Sequence, residues 1–243
     1  MKVVFLMAGD RVRCGDDIYP LYLSEVNGKL ILEHIIATVP IKDISDCIFC
    51  VRSDDVSSFH VDSIVRQLVP NANVISVNSD TKGAACTALL AGEFIDCDEE
   101  ILILASTDFV DADVKMILDY FRDNNSDVGV VSFPSVHPRY SFVKFGEDGY
   151  VAEVSEKRPI SRNALASFYY FKEGKDFVEG AKSVIRKDYP INGSFYLSQV
   201  VNEMILMQKK VALFHIEQKN FHPLKTEYYL KQYIAEIKNL DTK

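Results

Sequence analysis

The sequence predicts an α/β protein, a Rossmann-like mixed and mostly parallel sheet flanked by helices, and three observations carry that reading. Short apolar runs alternate with helical periodicities through the first half of the chain. Residues 127–172 are β-rich instead. The 243 residues, 48% hydrophobic and 26% charged, suffice for one large domain and hardly for a second. The chain therefore reads as a single domain over residues 1–243, with a β-rich subdomain at about 127–172.

The elements follow in order. Residues 3–7 form an apolar strand-like run, and Leu32, Ile35, Ile36 and Val39 then recur at helical spacing. A second apolar run at 47–51 precedes Val61, Ile64, Val65 and Leu68, which repeat the same spacing. This is the βαβ rhythm of a parallel sheet covered by helices. It continues with a strand at 73–77, a helix of small residues from Ala84, a strand at 101–104 and a helix buried through Val114, Ile117, Leu118 and Phe121. The β-rich stretch contains VGVVSFP, YSFVKF, YVAEV and LASFYYF, separated by Pro138, Asp148-Gly149 and Pro159. Asp-Gly supplies the positive φ angles of a tight turn, so FGEDGYV reads as a hairpin. Two amphipathic helices close the chain, one buried through Leu197, Val200, Val201 and Met204, the other through Leu230, Tyr233, Ile234 and Ile237.

Composition excludes several classes. A formal net charge of −8 argues against nucleic acid as a partner, because phosphate backbones call for clustered Lys and Arg. No apolar run approaches the roughly 20 residues that span a bilayer, and the N-terminal run leads into a charged loop rather than a cleavage site. A cytoplasmic protein with no membrane partner is the simplest expectation; self-association as a homo-oligomer stays open. The chain has five cysteines, and Cys47 and Cys50 have CxxC spacing but lie inside a strand-like run, which favours buried thiols over a zinc or redox motif.

In an open α/β sheet ligands bind beyond the carboxyl ends of the strands. Gly9, Gly83 and Asp108 each follow a predicted strand and should share one rim. Gly83-Ala84-Ala85 opens a helix with residues small enough for a nucleobase or phosphate to approach the backbone, so a valine at Gly83 should block that ligand and spare the fold. The alternative is small residues required by helix–sheet packing. Asp108 is placed to hold Mg²⁺ on a triphosphate, or one of Ser106, Thr107 and Asp108 simply caps the next helix, with Asp111 and Asp113 close by. Glu156 and Lys157 form a charged pair beside a strand end, suited to a phosphorylated small molecule or merely solvated. Lys144 is a second cation for that pocket.

Read together, residues 3–9 (VVFLMAG, including Ala8 and Gly9), residues 81–89 (TKGAACTAL), residues 101–108 (ILILASTD), residues 137–144 (HPRYSFVK) and the Glu156-Lys157 pair resemble the sugar-phosphate nucleotidylyltransferases, especially the bacterial capsule and surface-polysaccharide branch. The resemblance spans nearly the whole chain. It implies transfer of a nucleotidyl group from an NTP to a sugar phosphate with release of pyrophosphate, and the partners of that chemistry: a nucleoside triphosphate or nucleotide sugar and a phosphorylated small-molecule acceptor. It places Ala8, Gly9, Gly83 and Ala84 at the nucleotide, Asp108 at Mg²⁺, and Glu156 and Lys157 at the acceptor within the β-rich subdomain. Arg13 matches an arginine that wraps the triphosphate.

Three positions depart from the resembled pattern. Arg11 stands where a second loop glycine is expected, Leu21 where a Pro-Lys lysine contacts phosphates, and the segment Phe221-His222-Pro223-Leu224-Lys225-Thr226 lacks the second metal-binding aspartate. His222 is a poor substitute, since Mg²⁺ prefers oxygen. Arg11, Arg13 and Lys82 are candidates to supply the missing positive charge. Beside the transferase reading stand a catalytically degenerate binding protein of the same pathway and a nucleotide-sugar-dependent glycosyltransferase.

Overall fold

A computed structural model describes residues 1–9, 13–14, 17–18, 20–40, 44–78 and 80–240, with side chains not described at 13–14, 17–18 and 236–240. Arg11 and the side chain of Arg13 thus lie outside the described residues. The centre is a nine-stranded sheet built from β1 (Lys2–Met7), β2 (Asp46–Arg52), β3 (Asn73–Val77), β4 (Ile101–Ala105), β5 (Val128–Pro134), β6 (Ser141–Phe145), β7 (Val151–Glu156), β8 (Asn163–Phe171) and β9 (Val211–His215). The main path runs β7-β6-β8-β4-β1-β2-β3. β1, β2, β3 and β4 are parallel, as the βαβ rhythm requires.

The β-rich stretch continues this sheet. β8 runs antiparallel to β4, pairing Phe168 with Leu104 and Phe171 with Ile101, and antiparallel to β5 along its whole length. The hairpin of β6 and β7 attaches to β8 where Phe142 faces Ala164, and β9 adds parallel to β5. Two short strands, Asp108–Val110 and Phe221–Pro223, pair across the rim, with Pro223 opposite Asp108.

The helices are α1 (Ile31–Thr38), α2 (Ser53–Phe59), α3 (Val61–Leu68), α4 (Ala84–Leu89), the single turn α5 (Gly92–Ile95), α6 (Val114–Asp123), α7 (Gly174–Arg186), α8 (Leu197–Leu206) and α9 (Glu227–Leu240). The pleat divides the core in two. Val3, Phe5 and Met7 join Phe49, Leu102 and Leu104 under α1, α3 and α6, while Val4 and Leu6 join Ile48, Ile103 and the residues of α4, α7 and α8. The Phe5 and Phe49 rings stack at 4.5 Å on the first side. Among the described residues no helix is long and apolar enough to cross a membrane.

The same pleat decides the CxxC question. Cys47 belongs to one core and Cys50 to the other, on opposite faces of β2, so the two thiols cannot share a metal or a disulfide. Burial pushes the Cys47 thiol up to about 11, with Asp46 adding, and the Cys50 thiol up to about 12. At pH 8 the thiolate fraction of each is about one in a thousand or less. In native protein a thiol reagent should therefore modify the partly exposed Cys86 and Cys97, and reach Cys47 and Cys50 only after denaturation, as followed by peptide mass mapping. Rapid native modification of either would contradict this packing.

Candidate active site

Two cavities adjoin at the carboxyl rim of the parallel strands, sharing Ala84, Ala105 and Thr107. The first, about 230 Å³, is lined by Ala8 and Gly9 after β1, Arg52 at the end of β2, and Asp80, Gly83 and Ala84 before and within the first turn of α4. The rim expected for Gly9, Gly83 and Asp108 is therefore present, with Asp108 lining the second cavity.

Gly83 has a structural job that sequence reading did not separate from ligand contact. Its φ is +104°, and an added Cβ would stand 2.4 Å from the carbonyl oxygen of Phe195 and 2.8 Å from its nitrogen. Phe195 N–H donates to the Lys82 carbonyl at 2.7 Å, and Ala85 N–H donates back to Phe195 O at 3.1 Å. The expectation that valine at Gly83 would spare the fold is thus corrected: backbone contact with Phe195 requires glycine here. Lys82 is exposed and contributes its carbonyl to this joint, while its side chain lies outside the cavity lining.

Among the described residues the cation lining the first cavity is Arg52, which the sequence did not announce. Arg52 Nη1 lies 2.8 Å from Asp80 Oδ1, and its Nε is buried with no hydrogen-bond partner among the described residues. Leu21, by contrast, is packed in the core at 6% exposure and offers the cavity no charge.

The second cavity, about 380 Å³, gathers Asp108, Glu156, Lys157, Ser167, Tyr196 and Lys225. Asp108 is not a helix cap; that role belongs to Asp113, whose Oδ1 accepts from the Lys115 and Met116 amides at 2.9 and 3.2 Å. The Asp108 side chain is 2% exposed, and its Oδ2 accepts from Ser167 Oγ and lies 3.5 Å from Lys225 Nζ. Its Oδ1 is buried with no hydrogen-bond partner among the described residues.

Glu156 Oε2 accepts from Ser141 Oγ and, at 2.7 Å, from Ser198 Oγ, bonds that fix the carboxylate at the end of β7. Lys157 follows in left-handed backbone with φ +55°, which turns the chain so that Nζ donates to Tyr196 Oη at 2.6 Å and sits 4.8 Å from that ring's centre. Burial first, then the charges of Glu156 and Asp108, push the Tyr169 phenol up, so it remains a neutral donor on the cavity wall. Lys144 is not part of this group. It is exposed on β6 opposite Glu153, beside a register shift, and outside the lining.

A third cavity, about 410 Å³, adjoins the second through Arg139 and Tyr140. The Arg139 guanidinium lies between the Tyr140 and Tyr229 rings at 4.7 and 4.6 Å. His222 sits in this third cavity, 4.8 Å from Tyr233 and 5.9 Å from Phe109 between ring centres, and does not line the cavity of Asp108.

Mg²⁺ takes six oxygens in near-octahedral order. Among the described residues no group of three His, Cys, Asp or Glu side chains could hold a metal ion. Asp108 offers one carboxylate whose Oδ2 already faces a hydroxyl and an ammonium. These residues do not fit a protein-built divalent-cation site.

A model of the nucleotidyl transferase family matches residues 17–217, which include most of the sheet and most of the lining of the first two cavities, but not Ala8, Gly9 or Lys225. The chain belongs to the nucleotidyl transferase family. Solved structures share its mixed α/β fold. A nucleoside-diphosphate-sugar pyrophosphorylase from Vibrio cholerae RC9 superposes with TM-score 0.79 at 19% identity, covering 97% of this chain and 100% of that one. The inositol-1-phosphate CTP transferase from T. maritima gives 0.73 at 12%, covering 98% and 96%. HddC from Yersinia pseudotuberculosis, complexed with GMP-PN, gives 0.65 at 15%, covering 97% and 99%. No curated protein matches the chain by sequence.

For a nucleotidyl transferase, the arrangement can do two things chemically. The first cavity can take a flat or phosphorylated group against small residues and Arg52. The second presents Lys157 and Lys225 beside two fixed carboxylates, a setting for an anionic, hydroxylated ligand.

Proposed function

We propose that this nucleotidyl transferase moves a nucleotidyl group from an NTP to a sugar phosphate, or a similarly phosphorylated acceptor, in capsular or other surface-polysaccharide biosynthesis. The observation that carries the reading is the meeting of the two cavities at Ala84, Ala105 and Thr107, which sets the cleft of Gly83 and Arg52 against a wall of Glu156, Lys157 and Tyr196. An acceptor phosphate held by Lys157 would present its oxygen to the α-phosphorus in line, with pyrophosphate leaving on the opposite side. Glu156, fixed through Oε2, orients sugar hydroxyls with Oε1, which takes neither serine bond. Arg52 neutralises phosphate charge in the first cavity. The V. cholerae and T. maritima proteins, named for a sugar nucleotide and a phosphorylated polyol, support this acceptor chemistry. The polysaccharide pathway rests on the sequence blocks around Asp108 and Glu156-Lys157.

A second reading, a binding protein that keeps the pocket without turnover, is favoured by Leu21, which is buried in the core where the resembled pattern has a lysine. The two are separated by measuring pyrophosphate release and ligand-induced melting shifts for each NTP against a panel of hexose, heptose and polyol phosphates. We expect one NTP and acceptor pair to release pyrophosphate in step with a nucleotidyl product. Melting shifts without release would establish the binding protein, and neither response across the panel would sink both readings.

A further inference from the structure

We propose that Lys225 is the built-in counter-cation of this site, its ammonium standing beside Asp108 where a divalent ion would otherwise bridge carboxylate and phosphates, so that nucleotide phosphates bind without a metal ion. The inference rests on the phosphate-binding reading given above. Asp108 is almost wholly buried, and a carboxylate there needs a positive partner. Among the described residues that partner is the Lys225 ammonium, 3.5 Å from Oδ2.

Backbone, not chance, brings it there. Pro223 pairs with Asp108 across the rim, and Leu224 N–H donates to the Thr107 carbonyl at 2.7 Å, so Lys225 emerges directly over the carboxylate. An ammonium has three donors, and the Lys225 side chain is 42% exposed at the cavity edge, which leaves donors to face a ligand. A divalent ion at Asp108 would bring like charge against this ammonium, and Ser167, Tyr140 and Tyr169 around it are neutral. The nearby carboxylate, Glu156, is held by two serines.

The test is calorimetric NTP binding to parent protein, Lys225→Ala and Lys225→Arg, in EDTA and in Mg²⁺. The parent should bind equally well in both. Lys225→Ala should lose affinity about tenfold to a hundredfold in EDTA, the worth of one charge-assisted contact, and recover in Mg²⁺, while Lys225→Arg retains binding throughout. Parent binding that collapses in EDTA, or Lys225→Ala binding as the parent does in EDTA, overturns the inference. If no NTP binds under either condition, the transferase reading falls, and Mn²⁺ alone then judges the pair by water-proton relaxation. Mn²⁺ excluded by the parent supports Lys225 as the resident cation; Mn²⁺ bound by the parent and released in Asp108→Asn overturns it.

Discussion

Gly83→Val is expected to lower the unfolding free energy by about 3 kcal/mol, with the denaturant midpoint falling and the melting temperature dropping by roughly 2–4 °C per kcal/mol. Two costs combine. The backbone at φ +104° and ψ 174° lies in a region that side chains with a Cβ rarely enter. That Cβ would also meet main chain, the carbonyl oxygen and nitrogen of Phe195, which has little freedom to withdraw because Lys82 and Ala85 are bonded to it. Nucleotide binding should weaken as a consequence of this displacement. A variant with the parent's midpoint and weakened nucleotide binding would instead make Gly83 a ligand contact and nothing more.

Lys157→Ala is expected to weaken binding of the phosphorylated acceptor about tenfold to a hundredfold, equivalent to about 1.5–3 kcal/mol, and to leave NTP affinity nearly unchanged. The ammonium lies in the second cavity against Tyr196, away from the Arg52 side of the first. Alanine keeps the Cβ that lysine already holds at φ +55°, and Lys157→Asn, which tolerates left-handed backbone, is the companion variant that removes the ammonium while keeping a polar side chain. Calorimetry with both ligands decides the matter. Unchanged acceptor affinity in the two variants would return Lys157 to an ordinary lysine stacked on a tyrosine.

The parallel half of the sheet was legible because its strands are short continuous apolar runs, as at residues 3–7, and its helices repeat apolar residues at helical spacing, as at Val61 and Val65. Helix α7 was not read, because Gly174 opens it and Gly180 interrupts it; the second is where Met204 packs, 2.5 Å from a Cβ that is not there. β9 is five residues without a flanking turn signal, and α2 is polar. In the site, Asp108, Glu156, Lys157, Gly9 and Ala84 were readable as residues at strand ends or a helix start. Arg52 and Lys225 were not. Arg52 looks like any strand-terminal charge until Asp80 is beside it, and Lys225 acquires meaning only through the ladder that lays Pro223 on Asp108, an encounter across more than a hundred residues of chain. Lys144 was misplaced because a register shift at Lys144 and Phe145 breaks the alternation that would predict its direction.

The bonds at Phe195 have one more consequence. Phe195 is stitched to Lys82 and Ala85 on one side, and its immediate neighbour Tyr196 carries Lys157 on the other, with the Tyr196 amide anchored at 2.9 Å to Gln199. The two cavities therefore hinge on a single peptide unit. A molecule wedged against residues 82–85 levers the tyrosine that steadies the lysine across the cleft, and one clasped by that lysine tugs back along the same path. Any stiffness that one ligand lends this joint is lent equally by the other, in either order of arrival.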